Sequence, residues 1–120
     1  MFAGNIADSY DVYVSEELAL LIRRGMLLIK KTYIKKGEVV IGEYIFVKRG
    51  LFEAEAEYDI EEGVLYYLQI CWLGRCYVWY NEEPDRAPPP LVVKRARKIF
   101  RELSKFSVAA NAALRVLASV

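Results

Sequence analysis

A chain of 120 residues with a formal charge of +1, 55% hydrophobic and 13% aromatic, has room for one domain around a single core and carries no whole-protein nucleic-acid signature. It contains no His, which removes the commonest general base and metal ligand, and its two Cys supply neither a thiolate metal site nor a disulfide framework. No apolar run reaches the length of a bilayer span, and Met1 to Ser9 lacks a basic-then-apolar leader, so a soluble, cytoplasmic protein without cofactor or membrane contact is the expectation.

Apolar surface at this level exceeds what one small monomer buries, which points to a homo-oligomer. Few amides beside abundant Glu, Lys and Arg are compatible with a thermophilic source.

In chain order, residues 10–25 read as a short lead-in strand, Tyr10 to Val14, followed by a short helix. Ser15 suits its N-cap, Glu16 and Glu17 its first turn, Arg23 and Arg24 its last turn, and Gly25 the residue just past its end. Residues 26–81 carry four punctuation marks that each close on Gly: Ile34-Lys35-Lys36-Gly37, Val47-Lys48-Arg49-Gly50, Ile60-Glu61-Glu62-Gly63 and Cys71-Trp72-Leu73-Gly74. Two ordinary residues and then Gly suit a three-residue hairpin loop with a bulge. A five-stranded antiparallel meander follows, in an α+β fold.

Pairing the residues that flank each loop sets Ile34 opposite Glu38, Val47 opposite Leu51, Ile60 opposite Val64 and Cys71 opposite Arg75. In that register Val40, Gly42, Tyr44 and Phe46, then Phe52, Ala54, Ala56 and Tyr58, then Tyr66, Leu68 and Ile70, then Cys76, Val78 and Tyr80 share the core face. The outer face takes Leu27, Ile29, Lys31 and Tyr33, then Val39, Ile41, Glu43, Ile45 and Val47, then the acidic ladder Glu53, Glu55, Glu57 and Asp59, then Leu65, Tyr67, Gln69 and Cys71, and finally Arg75, Tyr77, Trp79 and Asn81.

Residues 82–90 form a Pro-rich connector, and 91–118 one long helix whose stripe of Val92, Ala96, Ile99, Phe100, Leu103, Phe106, Ala110, Ala113, Leu114 and Leu117 lies on the core face. Its other side is a basic ridge of Lys94, Lys98, Arg101 and Lys105. The Ala-rich end beyond Ser107 permits close approach of another helix and reads as a subunit contact.

The outer face is too apolar for a solvated sheet, so something covers it. Packing against the short helix or another subunit is one reading. A nucleic-acid strand is the sharper one: Tyr67, Tyr77 and Trp79 offer stacking platforms with Gln69 and Arg75 between them, and Lys30, Lys31, Lys35, Lys36, Lys48, Arg49, Lys94, Lys98 and Arg101 can neutralise phosphates. The acidic ladder would repel a backbone crossing the sheet centre, so such a strand would follow an edge or an intersubunit cleft. Glu residues at spacing two also raise hydrolysis, but they lack a positioned partner and the chain is read as non-catalytic.

Cys71 and Cys76 depend on the last register. The three-residue loop points them to opposite faces; a two-residue turn at Leu73-Gly74 would set them opposite each other, where a cross-strand disulfide becomes conceivable. Leu is a poor first residue for that turn, so free thiols are expected.

A short N-terminal helix, a basic and aromatic sheet ending in Arg75-Cys76-Tyr77-Val78-Trp79-Tyr80, and a long C-terminal helix together resemble the archaeal ThermoDBP-related single-stranded DNA-binding proteins. The resemblance implies an oligomer in which single-stranded DNA, rather than RNA, contacts sheet aromatics and flanking basic residues. The acidic third strand departs from a simple DNA-facing sheet. The leading expectation is therefore sequence-tolerant binding of single-stranded nucleic acid. The alternative is an assembly subunit that docks onto protein through its outer face and Ala-rich helix.

Overall fold

The computed structural model describes residues 12–21, 25–35, 39–80, 83–84 and 88–119. Seven strands run as an antiparallel meander in the order β1 to β7: β1 Val12–Leu21, β2 Met26–Lys35, β3 Val39–Arg49, β4 Phe52–Asp59, β5 Val64–Trp72, β6 Arg75–Tyr80 and β7 Glu83–Pro84. Two helices, α1 Pro90–Leu103 and α2 Val108–Ala118, cover one face, so the fold is α+β with an antiparallel sheet. No helix among the described residues is long and apolar enough to cross a membrane.

The first correction falls on the segment expected to be a helix. Residues Val12–Leu21 are a strand, paired with β2 from Val12↔Lys35 to Leu21↔Met26. A helix this short is marginal in isolation, whereas ten paired residues satisfy the backbone of one side of the strand through the ladder. Gly25, at φ +63°, belongs to the connection into β2 rather than to a helix end. Arg23 and Arg24 lie outside the described residues, as do Lys36 and residues 82 and 85–87 of the Pro-rich connector.

The second correction concerns register. The β3–β4 hairpin closes on two residues, Gly50 and Leu51, because Arg49 pairs with Phe52. Gly50 sits at φ +59°, the first central position of a tight turn that calls for glycine. This pairing turns β3 over relative to the three-residue expectation. Ile41, Glu43, Ile45 and Val47 therefore face the helices, and Tyr44 and Phe46 face away. The expected β4–β5 pairing holds from Phe52↔Trp72 to Glu57↔Tyr67, which buries Phe52, Ala54, Ala56, Leu68 and Ile70 as anticipated. A bulge beyond Glu57 then leaves Tyr66 at the surface and brings Leu65 inside.

The last hairpin also closes on two residues. Cys71 pairs with Cys76 and Trp72 with Arg75, and the two Cys form a disulfide, so the free thiols expected from the turn chemistry are not found. Leu73 occupies the left-handed region at φ 53°, followed by Gly74 at φ 80°. A left-handed non-Gly residue costs roughly 1–2 kcal/mol. Against that, the register sends Tyr77 and Trp79 into the core, with Trp79 fully buried. A buried Trp removes some 150–250 Å² from water, about 4–6 kcal/mol. The core outweighs the turn.

The single long C-terminal helix is in fact two. Pro89 and Pro90 start α1, and Ser107, extended at φ −143°, caps α2 by accepting from the Ala110 N–H at 3.0 Å. Ala109, Ala110, Ala112, Ala113 and Leu117 are buried in the chain's own core, because small side chains let α2 lie close over β3, β4 and β5. The Ala-rich stripe expected at a subunit contact is used within the chain.

Candidate nucleic-acid interface

The helix-free face of the sheet is a ladder of tyrosines and carboxylates. Across the strands Lys31 lies beside Tyr44, Tyr44 beside Glu57, Glu57 beside Tyr67, and Tyr67 beside Tyr80. Tyr44 Oη donates to Glu55 Oε2 at 2.6 Å, Tyr67 Oη donates to Gln69 Oε1, and Gln69 Nε2 donates to Cys71 Sγ at 3.1 Å. The Lys31 ammonium sits 5.7 Å from the Tyr44 ring centroid, and Lys48 pairs with Glu53 at 3.3 Å. Phe46, Glu53, Ala54, Glu55, Gln69 and Cys71 line a hollow of about 70 Å³, room for about two waters.

The electrostatics of this face oppose a phosphate backbone. Burial, with Glu55 adding to it, raises the Glu57 carboxyl above the usual range. Burial and then Glu57 push the Tyr33 phenol up to about 12, and burial followed by the hydrogen bond and charge of Glu55 raises Tyr44 further. Tyr67 is raised by burial and then by Glu55. Each shift comes from partial desolvation in a field of neighbouring carboxylates, and an incoming polyanion would meet the same field.

The residues expected to bind are thus divided. Tyr67 and Gln69 lie on this acidic face, engaged with each other. Tyr77 and Trp79 are buried beneath the helices, so they present no ring for stacking, and the Trp79 indole N–H has no hydrogen-bond partner among the described residues. Lys30 is on the helix side, donating to the Phe106 carbonyl at 2.9 Å and lying 3.4 Å from the buried Glu43 carboxylate; it is a structural cation. Lys31 and Lys48 are partnered as above, Lys35 is half-buried at the end of β2, and Arg49 is exposed beside the Gly50 turn. Lys36 is outside the described residues.

The other members converge on α1. Val92, Val93, Ala96, Ile99, Phe100 and Leu103 bury one side of it, which forces Lys94, Lys98 and Arg101 to solvent at spacings of four and three. Exposed Lys105 continues the row past the helix end. No ion pair among the described residues engages these four cations. Arg97, at the flank, instead donates through Nε to the Leu117 carbonyl at 2.9 Å and ties α1 to α2.

Trp72 and Arg95, absent from the expected set, join the expected Arg75 on this side. The Arg95 guanidinium lies over the Trp72 ring, 4.4 Å from its centroid, and exposed Arg75 is the strand partner of Trp72. The Trp72–Arg75 pairing follows from the two-residue turn at Leu73-Gly74, which the turn chemistry of Leu argued against. The spacing of Arg95 one residue from Lys94 was visible, but only the packed helix shows that it leans toward β5.

Together these define an α+β meander domain with an acidic sheet face and a basic helical face. No family model, curated protein or solved structure matches the chain.

Proposed function

We propose that the protein is a non-catalytic binder of single-stranded nucleic acid that takes the sugar–phosphate backbone along the exposed side of α1. The observation that carries this reading is the outward row of Lys94, Lys98, Arg101 and Lys105, unengaged by ion pairs among the described residues. Lys94 and Arg101 are about 10 Å apart along the helix axis, a spacing over which successive phosphates can be met. The acidic ladder on the opposite face favours one side of the domain over the other. A helix pinned to the sheet by its apolar side presents a ridge, not a recognition helix free to enter a duplex groove, so a flexible strand is the better fit.

Titration of a labelled single-stranded oligonucleotide at 50 and 200 mM salt tests this. Four neutralised phosphates give a slope of about −3 in log affinity against log salt, hence a loss of roughly fiftyfold over that range. Absence of binding at 50 mM would contradict the proposal.

A further inference from the structure

A row of cations accepts any polyanion; what would distinguish nucleic acid is a surface for a base. Resting on the reading of α1 as a backbone-binding face, we infer that Trp72, Arg75 and Arg95 form a base-stacking anchor at the β5–β6 end of that face. It takes one nucleobase on the outer side of the Arg95 guanidinium and a neighbouring phosphate on Arg75. Trp72 is held in two ways: it is half-buried against the hydrophobic core, and it is the last residue of β5, paired with Arg75. The guanidinium lying over it at 4.4 Å is therefore backed by a fixed ring while Arg95 remains exposed on its other side. Bases stack on guanidinium planes as they do on aromatic rings. An Arg already seated on an indole also gives up less side-chain freedom when a ligand arrives.

The turn that carries the anchor is closed by the Cys71–Cys76 disulfide, whose Cα atoms are 4.1 Å apart and flank Trp72 and Arg75 directly in sequence. The strand neighbours of Cys71 on β4 and β6 place Glu53 on the opposite sheet face, where it is occupied by Lys48. The anchor is thus cationic and aromatic, on the same side of the sheet as α1, with the acidic ladder behind it.

The test compares a labelled oligothymidylate of about twelve nucleotides with an abasic deoxyribose-phosphate strand of the same length, on the full chain with its disulfide intact. Wild-type protein should bind the base-bearing strand about tenfold more tightly, the equivalent of one stacked base. Arg95→Lys, which keeps the charge but not the plane, should lose that tenfold while leaving the affinity for the abasic strand unchanged. Trp72→Leu, with folding checked by circular dichroism, should do the same. Equal wild-type affinity for the two strands, or unchanged oligothymidylate affinity in Arg95→Lys, would overturn the anchor while leaving backbone binding by α1 standing. Failure of either strand to bind overturns the nucleic-acid reading itself and the anchor with it.

Discussion

Glu43 and Ser107, sixty-four residues apart, meet inside the protein: Ser107 Oγ donates to Glu43 Oε2 at 2.5 Å, and the Ala109 N–H donates to the same oxygen at 2.8 Å. The other carboxylate oxygen lies 3.4 Å from Lys30 Nζ, which itself donates to Phe106 O. One buried acid thereby joins β3 to the N-terminus of α2, where the helix dipole favours an anion, and fixes the break between the two helices.

Glu43→Ala is expected to lower the free energy of unfolding by about 3–5 kcal/mol, because it leaves the half-buried Lys30 cation without its counter-charge and two buried donors without their acceptor. Lys30→Met should cost less, since the carboxylate keeps its Ser107 and Ala109 donors. Urea denaturation of both variants measures the difference, and equal losses would contradict this ordering.

The Cys71–Cys76 disulfide closes only a short loop, so its contribution through the unfolded chain is modest, about 2 kcal/mol. Cys71→Ser with Cys76→Ser should lower the free energy of unfolding by that amount and keep the fold, because buried Trp79 and Tyr77 hold the β6 register. Thiol titration of the denatured, unreduced wild type should find no reactive thiol.

Glu57 and the tyrosines of the acidic face give stability a defined pH dependence. The folded Glu57 carboxyl is raised, so its contribution is fully present below the ordinary carboxyl range and is lost as pH rises through the folded value. Glu57→Gln should therefore raise the melting temperature at pH 7 and leave it unchanged near pH 3. Tyr33, neutral up to about 12 in the fold and about 10 unfolded, contributes fully below pH 10 and loses that contribution between about 10 and 12. Thermal melts across pH 8 to 12 should fall in that window, and Tyr33→Phe should flatten the decline.

Much of the architecture was legible in the sequence, and the failures have physical causes. Gly-closed loops marked the meander, and the alternation in Phe52-Glu53-Ala54-Glu55-Ala56 placed the central hairpin on its correct faces as far as the bulge after Glu57. The hairpins on either side of it depart from the expected faces because a turn shorter by one residue reverses a whole strand. Gly50 and Leu51 did so for β3, and Leu73 and Gly74 for β6. In the second case local turn preference pointed one way and the burial of Trp79 the other, a comparison that only the packed core can make. The same reversal removed Tyr77 and Trp79 from the surface and set Arg75 opposite Trp72, the ring that Arg95 covers. The basic side of α1 needed no register at all, since helical spacing alone lines up Lys94, Lys98 and Arg101. Nothing in the residue spacing announced Glu43 as the partner of Ser107, for that pairing joins elements far apart in the chain.

Trp79 offers a check on this division of roles. Trp79→Phe should cost about 1–3 kcal/mol of stability through the space it leaves, yet change oligonucleotide affinity less than twofold, since the ring never reaches the surface. A tenfold loss of binding in a folded Trp79→Phe protein would return the site to the sheet.

The most direct measurement is a comparison of charge reversals on the two faces, read by fluorescence anisotropy with a labelled single-stranded oligonucleotide at 50 mM salt. Lys94→Glu with Lys98→Glu should weaken binding by at least fiftyfold and reduce the salt slope by about half, whereas Lys48→Glu on the sheet face should change affinity less than threefold. Undiminished binding in the α1 variant, with loss in the Lys48 variant, would contradict the assignment of the basic helix as the nucleic-acid face.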